Sequence, residues 1–113
     1  MASRLNLHAE LASVLASVDR PQNVYFQPPE SIRMKYPCIV YKRSSGRTTF
    51  ADNKPYTFEE SYEVTVIDRD PDSPIVRALA MHFPKSRYNR HLTVDNLHHD
   101  VFVIYWYKNS KEE

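Results

Sequence analysis

Asp68, Asp70 and Asp72 stand two residues apart, the spacing that opens a calcium-binding loop. The match ends there. Counted from Asp68, the sixth position is Ser73, where the loop needs glycine, and the twelfth is Leu79, where it needs a bidentate glutamate. The acids read instead as a charged turn in front of a helix, where negative charge favours the helix N-terminus. His82, His91, His98 and His99, with Cys38, form a second group able to bind a metal. None has a paired spacing such as CxxC or HExxH. Neighbouring strand residues point to opposite faces, so His98 and His99 cannot share an ion from a regular strand. Cys38 beside a histidine would make a nucleophilic pair. It sits between Pro37 and Ile39 at the start of an apolar run, however, where a buried thiol is commonplace. The expectation is therefore no catalytic residue, no metal ligand set and no cofactor.

Composition narrows the choice further. Fifteen basic residues against fourteen acidic give a net charge of +1. That argues against nucleic acid as the main partner, because phosphate binding needs a clustered positive excess. Lys42, Arg43 and Arg47 form a small basic loop, read as an exposed hairpin tip able to meet an acidic protein surface. A single glycine, Gly46, leaves no glycine-rich phosphate loop. Eight tyrosines offer rigid contact area with a polar tip, as protein interfaces use and as strands also contain. One cysteine cannot form an internal disulfide, which fits a reducing cytoplasm. No apolar run approaches the roughly 18 residues of a membrane helix, and the N-terminus lacks the pattern of a secretion signal.

The elements that carry these residues follow from period and punctuation. Leu7, Leu11, Val14, Leu15 and Val18 make one stripe of a helix from about Arg4 to Val18, ended by Asp19-Arg20-Pro21. Asn23 to Phe26 reads as a short strand and Cys38 to Lys42 as a clear one. Ser44-Ser45-Gly46-Arg47 reads as a turn, with Thr48 to Ala51 as the return strand and Asp52 to Pro55 as a second breaker. From Phe58 the chain alternates: Phe58, Glu60, Tyr62, Val64 and Val66 share one side, and Glu59, Ser61, Glu63 and Thr65 the other. Ser73 caps a helix from Pro74 to His82. Tyr88 to Val94 is a strand, Asp95-Asn96 a hairpin turn and Val101 to Tyr107 a strand apolar on both faces. Such a strand is normally central in its sheet, or one of its faces is covered by something outside the domain. The order α-β-β-β-β-α-β-β makes one α+β domain over 1–113. It has a mainly antiparallel sheet of five to six strands, two helices on one face, and a frayed tail from Lys108 to Glu113.

A set of segments adds to this reading. They are Asn23-Val24-Tyr25-Phe26-Gln27-Pro28-Pro29, Met34-Lys35-Tyr36-Pro37-Cys38-Ile39-Val40-Tyr41 and Ala51-Asp52-Asn53. Val64-Thr65-Val66-Ile67-Asp68-Arg69-Asp70-Pro71-Asp72, Tyr88-Asn89-Arg90-His91 and Asp95-Asn96-Leu97-His98-His99-Asp100-Val101 complete it. Together they resemble the small tail-completion, or tail-terminator, proteins of long-tailed bacteriophages, over about Leu5 to Tyr105. The resemblance implies a similar α+β domain that catalyses no reaction. It implies a homo-oligomeric ring, usually a hexamer, on the head-proximal end of the tail tube. The ring stops polymerisation of the tube protein and joins the tail to the head connector, with DNA passing through its lumen. It places the protein in the virion neck, and in the host cytoplasm during assembly. The family offers no interface motif that transfers residue by residue. Pattern alone selects Arg43, Arg47, Phe50 and Lys54 in the hairpin, Met34 in the Gln27–Lys35 loop, and Phe102, Ile104 and Trp106 on the last strand. A head-completion or stopper adaptor is the alternative of the same kind. A small hydrolase using Asp68 and Asp70, or a nucleic-acid-binding module, is the alternative of another.

Overall fold

The computed structural model describes residues 4–28, 32–51, 54–83 and 85–109, with side chains described except at 45–51, 54–59 and 107–109. Its elements are α1 (Arg4–Ser17), β1 (Val24–Phe26), β2 (Cys38–Ala51), β3 (Lys54–Asp68), α2 (Pro74–His82), β4 (Ser86–Val94) and β5 (Leu97–Asn109). The five strands form one sheet in the order β1-β2-β3-β5-β4. β1 runs parallel to β2, and every other pairing is antiparallel. The fold is thus the expected α+β class.

Helix α1 ends as its sequence requires. Asp19 takes φ 56°, the left-handed conformation that usually calls for glycine at this position. The Arg20 N–H then reaches the Leu15 carbonyl at 3.0 Å and the Asp19 N–H reaches Ala16 at 3.1 Å. Both bonds satisfy carbonyls that the last helical turn would otherwise leave open. In front of α2, Ser73 Oγ accepts the Ile75 N–H at 3.2 Å, and Pro74 stands where no N–H is needed.

Alternation along the strands decides which face the helices cover. Ile39 and Tyr41 of β2, Tyr62, Val64 and Val66 of β3, and Phe102 and Ile104 of β5 all share one face. They bury against Leu7, Leu11, Val14 and Leu15 of α1 and against Ile75 and Leu79 of α2. Burial of this apolar surface is the main term holding the layers together. The two helices also meet directly, with His82 Nε2 and Glu10 Oε1 2.6 Å apart. At the rim of the core, Arg4 Nη1 donates to the Tyr41 hydroxyl at 3.3 Å, and that hydroxyl lies 2.8 Å from His8 Nδ1.

Three expectations need correction. Lys108 and Asn109, expected in a frayed tail, end β5 and pair with Phe58 and Thr57, while residues 110–113 lie outside the described residues. Ser44-Ser45-Gly46-Arg47 is no turn. The strand runs through it as one 14-residue element, with a register shift between Arg43 and Ser45. No glycine has positive φ, so Gly46 is used in extended backbone. A bulge absorbs the irregularity that the composition suggested would be a reversal. Likewise Lys54 and Pro55 belong to β3, and the chain reverses between Ala51 and Lys54, which pair with each other. Six strands in the sequence order therefore become five.

The length of β2 gives the molecule its shape. At about 3.3 Å per residue a strand of this size spans roughly 46 Å, and the longest extent is 51 Å against 27 and 23 Å. β1 pairs with β2 only up to Tyr41, and β4 pairs with β5 only up to Ile104. Beyond them β2, β3 and β5 continue together, pairing Thr57 with Asn109 and Ala51 with Lys54. The result is a narrow three-stranded ribbon reaching past the helix layer.

Candidate interaction surface and the histidine cluster

The residues selected from sequence separate into three groups. Phe102 and Ile104 are 1% exposed and sit in the protein's own core. This corrects the expectation that an outside partner covers them. Their side of β5 is the side that α1 and α2 already fill, and Trp106 continues it, packing edge-on against Phe83 at 6.0 Å. Arg43 and Met34 lie at the surface. Arg43 Nη2 reaches Glu60 Oε2 at 3.2 Å at the base of the ribbon. Met34 lines a depression of about 240 Å³ on the opposite sheet face, with Val40, Thr65, Ile67 and His99. The side chains of Arg47, Phe50 and Lys54 lie outside the described residues. Their backbones belong to the ribbon, with Arg47 opposite Glu59 and Phe50 opposite Pro55.

The acidic turn is built by its own side chains. Asp68 Oδ1 accepts the Asp70 N–H at 3.1 Å, and Asp70 Oδ1 accepts the Asp72 N–H at 2.9 Å. Each aspartate folds the backbone that follows it, as Asx turns do. Cys38 is fully buried, and its thiol is pushed up to about 12 by burial and then by the Asp68 charge. A thiol held protonated is a poor nucleophile near neutral pH.

A cluster that the sequence motifs did not connect lies on the β4–β5 hairpin. Asp95 and Asn96 have φ 52° and 63°, the paired positive values of a two-residue I′ turn. The turn fixes the register: Val94 opposite Leu97, Thr93 opposite His98, His91 opposite Asp100. Asp100 is 9% exposed and accepts from the Tyr88 hydroxyl at 2.8 Å. His91 Nδ1 approaches the same oxygen at 2.8 Å. A carboxylate accepts, so Asp100 favours the neutral tautomer with the proton on His91 Nδ1, in which Nε2 presents a bare lone pair. Burial and the bond to Asp100 hold the Tyr88 hydroxyl above its ordinary value. His91 Nε2, His98 Nδ1 and Thr93 Oγ1 then stand 3.4 Å from one another, an equilateral triangle of donor atoms. His99 points to the other sheet face, beside its own Leu97 carbonyl at 3.2 Å.

A further open surface runs between α2 and β4. It is a groove of about 850 Å³ lined by Val18, Val76, Ala80, Met81, Tyr88 and Phe102. Met81 is 81% exposed there.

No protein-family model matches the chain. No curated protein is similar to it at a significant level either.

Proposed function

We propose that this chain is a structural virion protein, a tail terminator. In this reading it forms a homo-oligomeric ring, a hexamer, on the head-proximal end of a phage tail tube. It catalyses no reaction. It stops addition of tube protein, offers its other side to the head connector, and lets DNA pass through the ring.

The observation that carries the proposal is the ribbon, taken with the sequence resemblance. Past Tyr41 on β2 and past Ile104 on β5, no described strand pairs with the outer edge. Open edges of this length are a liability in a lone molecule and an asset in an assembly. The two edges belong to different strands on opposite sides of the ribbon. A contact between β2 of one copy and β5 of the next is heterologous, and such contacts close into a ring at the right rotation. Arg43, Arg47, Phe50 and Lys54 would then lie at or near the contact, with Met34 on the adjoining face.

Purified protein at micromolar concentration, alone and with tube protein, tests this by sedimentation and electron microscopy. Rings and tubes of limited length are expected. Monomers throughout, with tubes growing to the same lengths as without the protein, would sink the proposal. Virions lacking the protein separate the neighbouring role. Overlong tails with unattached heads mark a terminator, and filled heads that leak mark a head-completion adaptor.

A further inference from the structure

We propose that the β4–β5 hairpin carries a binding site for a divalent transition-metal ion of the imidazole-preferring kind, such as Zn²⁺ or Ni²⁺, with His91 Nε2 and His98 Nδ1 as ligands. The argument begins with spacing. Two nitrogens bound to one tetrahedral ion at 2.0–2.1 Å stand about 3.4 Å apart. His91 Nε2 and His98 Nδ1 are separated by 3.4 Å. The ring centroids are farther apart, at 5.4 Å, so both nitrogens lie between the rings and face a shared space. Thr93 Oγ1 stands 3.4 Å from each of them. The three atoms thus match one face of a coordination tetrahedron. At that length they are weak as hydrogen bonds.

Orientation supplies the second, independent support. A metal-binding histidine commonly donates its other N–H to a carboxylate, which fixes the tautomer and turns the free lone pair toward the ion. Asp100 does this for His91 at 2.8 Å. Asp100 is itself held by Tyr88. The ligand is therefore set in place before any ion arrives. Asp100 acts through His91 and is a positioning residue.

Among the described residues no group of three or more His, Cys, Asp or Glu is placed to hold one ion. The site accordingly offers two imidazoles and a hydroxyl. Its remaining positions are left to water or to a residue of a neighbouring copy. Thr93 lies on the exposed hairpin surface and His91 is partly exposed, so an ion can enter. The site does not depend on the ring proposal, because one chain supplies all the atoms named.

The test is calorimetric titration of the intact chain with Zn²⁺ alone, repeated with Ni²⁺. NMR of the histidine rings follows the same additions. Saturable binding of one ion per chain is expected, with His91 and His98 resonances moving and His8 unmoved. His98→Gln and His91→Gln should each abolish it. Asp100→Asn should weaken it about 10–100-fold, and His82→Gln should leave it unchanged. One ion per two chains, still lost in His98→Gln, supports the site with its open position filled by a second copy. No saturable binding to the native chain overturns the proposal. So does binding that survives in the His91→Gln/His98→Gln double variant, or ring resonances that stay still while an ion binds. The native-chain NMR measurement remains decisive if a variant fails to fold.

Discussion

Tyr41 and Cys38 are both fully buried, and each ties the stability of the fold to pH in its own way. At Tyr41 the hydroxyl accepts a hydrogen bond from Arg4 Nη1 and lies 2.8 Å from His8 Nδ1. Burial, and then the Arg4 charge, hold His8 below its ordinary 6.5. A group whose folded value is depressed in this way binds more protons when unfolded. Its contribution is complete above about 6.5 and is lost as pH falls below it. His8→Asn keeps an acceptor near Nδ1 and does not titrate. The loss of urea midpoint between about pH 7.5 and about pH 5.5 should therefore be smaller in the variant than in the parent. An equal loss would show that the proton goes elsewhere. Cys38 works in the other direction: raised from 9.0 to about 12, it favours the fold below 9.0 and loses that contribution as pH climbs above it. At pH near 8 its thiolate is about a thousandfold rarer than that of an unfolded thiol. A disulfide reagent should react with it only as fast as the protein opens, and rapid labelling of native protein would contradict its burial. Cys38 was readable as a buried thiol from its place at the start of an apolar strand. The Arg4–Tyr41–His8 chain was not, because contacts between positions 33 and 37 apart leave no trace in local spacing.

At the level of elements, the hairpin turn shows how much a sequence holds when the right register is drawn from it. Asp95-Asn96 was legible as a turn, since both side chains tolerate the left-handed region. Once two residues close the loop, the facing pairs follow by counting outward, and the fourth is His91 with Asp100. Linear motifs do not contain that count, so His91 and His98 looked unrelated at a spacing of seven. The β2 bulge is the opposite case. Ser44-Ser45-Gly46 has turn composition, yet pairing with Glu60 and Ser61 keeps it extended, and tertiary pairing overrides local preference. Asn96 offers a direct test, because its φ of 63° suits few side chains. Asn96→Gly should raise the melting temperature slightly. Asn96→Val, with a branched β-carbon in the left-handed region, should cost about 1–2 kcal/mol. Chemical denaturation of the two variants checks this, and equal midpoints would mean the turn is not held in that conformation.

Across the whole molecule, the ring contact proposed above would fall on a different part of the sheet from the core. Every described residue of the strand core lies at or before Tyr41 on β2, at or after Tyr62 on β3, and at or before Ile104 on β5, with Trp106 packed at the margin. The ribbon beyond that line has backbone pairing and no described helix above it. Within that core a buried helix side chain cannot be spared. Leu79 is fully buried, and Leu79→Ala should cost about 2–5 kcal/mol through lost burial and the cavity left behind. Phe50→Asp together with Arg47→Glu places two substitutions on the ribbon. If the ribbon serves only neighbouring copies, unfolding should shift by no more than about 0.5 kcal/mol. Sedimentation should then show the ring lost while circular dichroism matches the parent. A double variant that melts several degrees lower yet still forms rings would reverse the assignment. It would make the ribbon a pillar of the monomer and take the contact between copies off it.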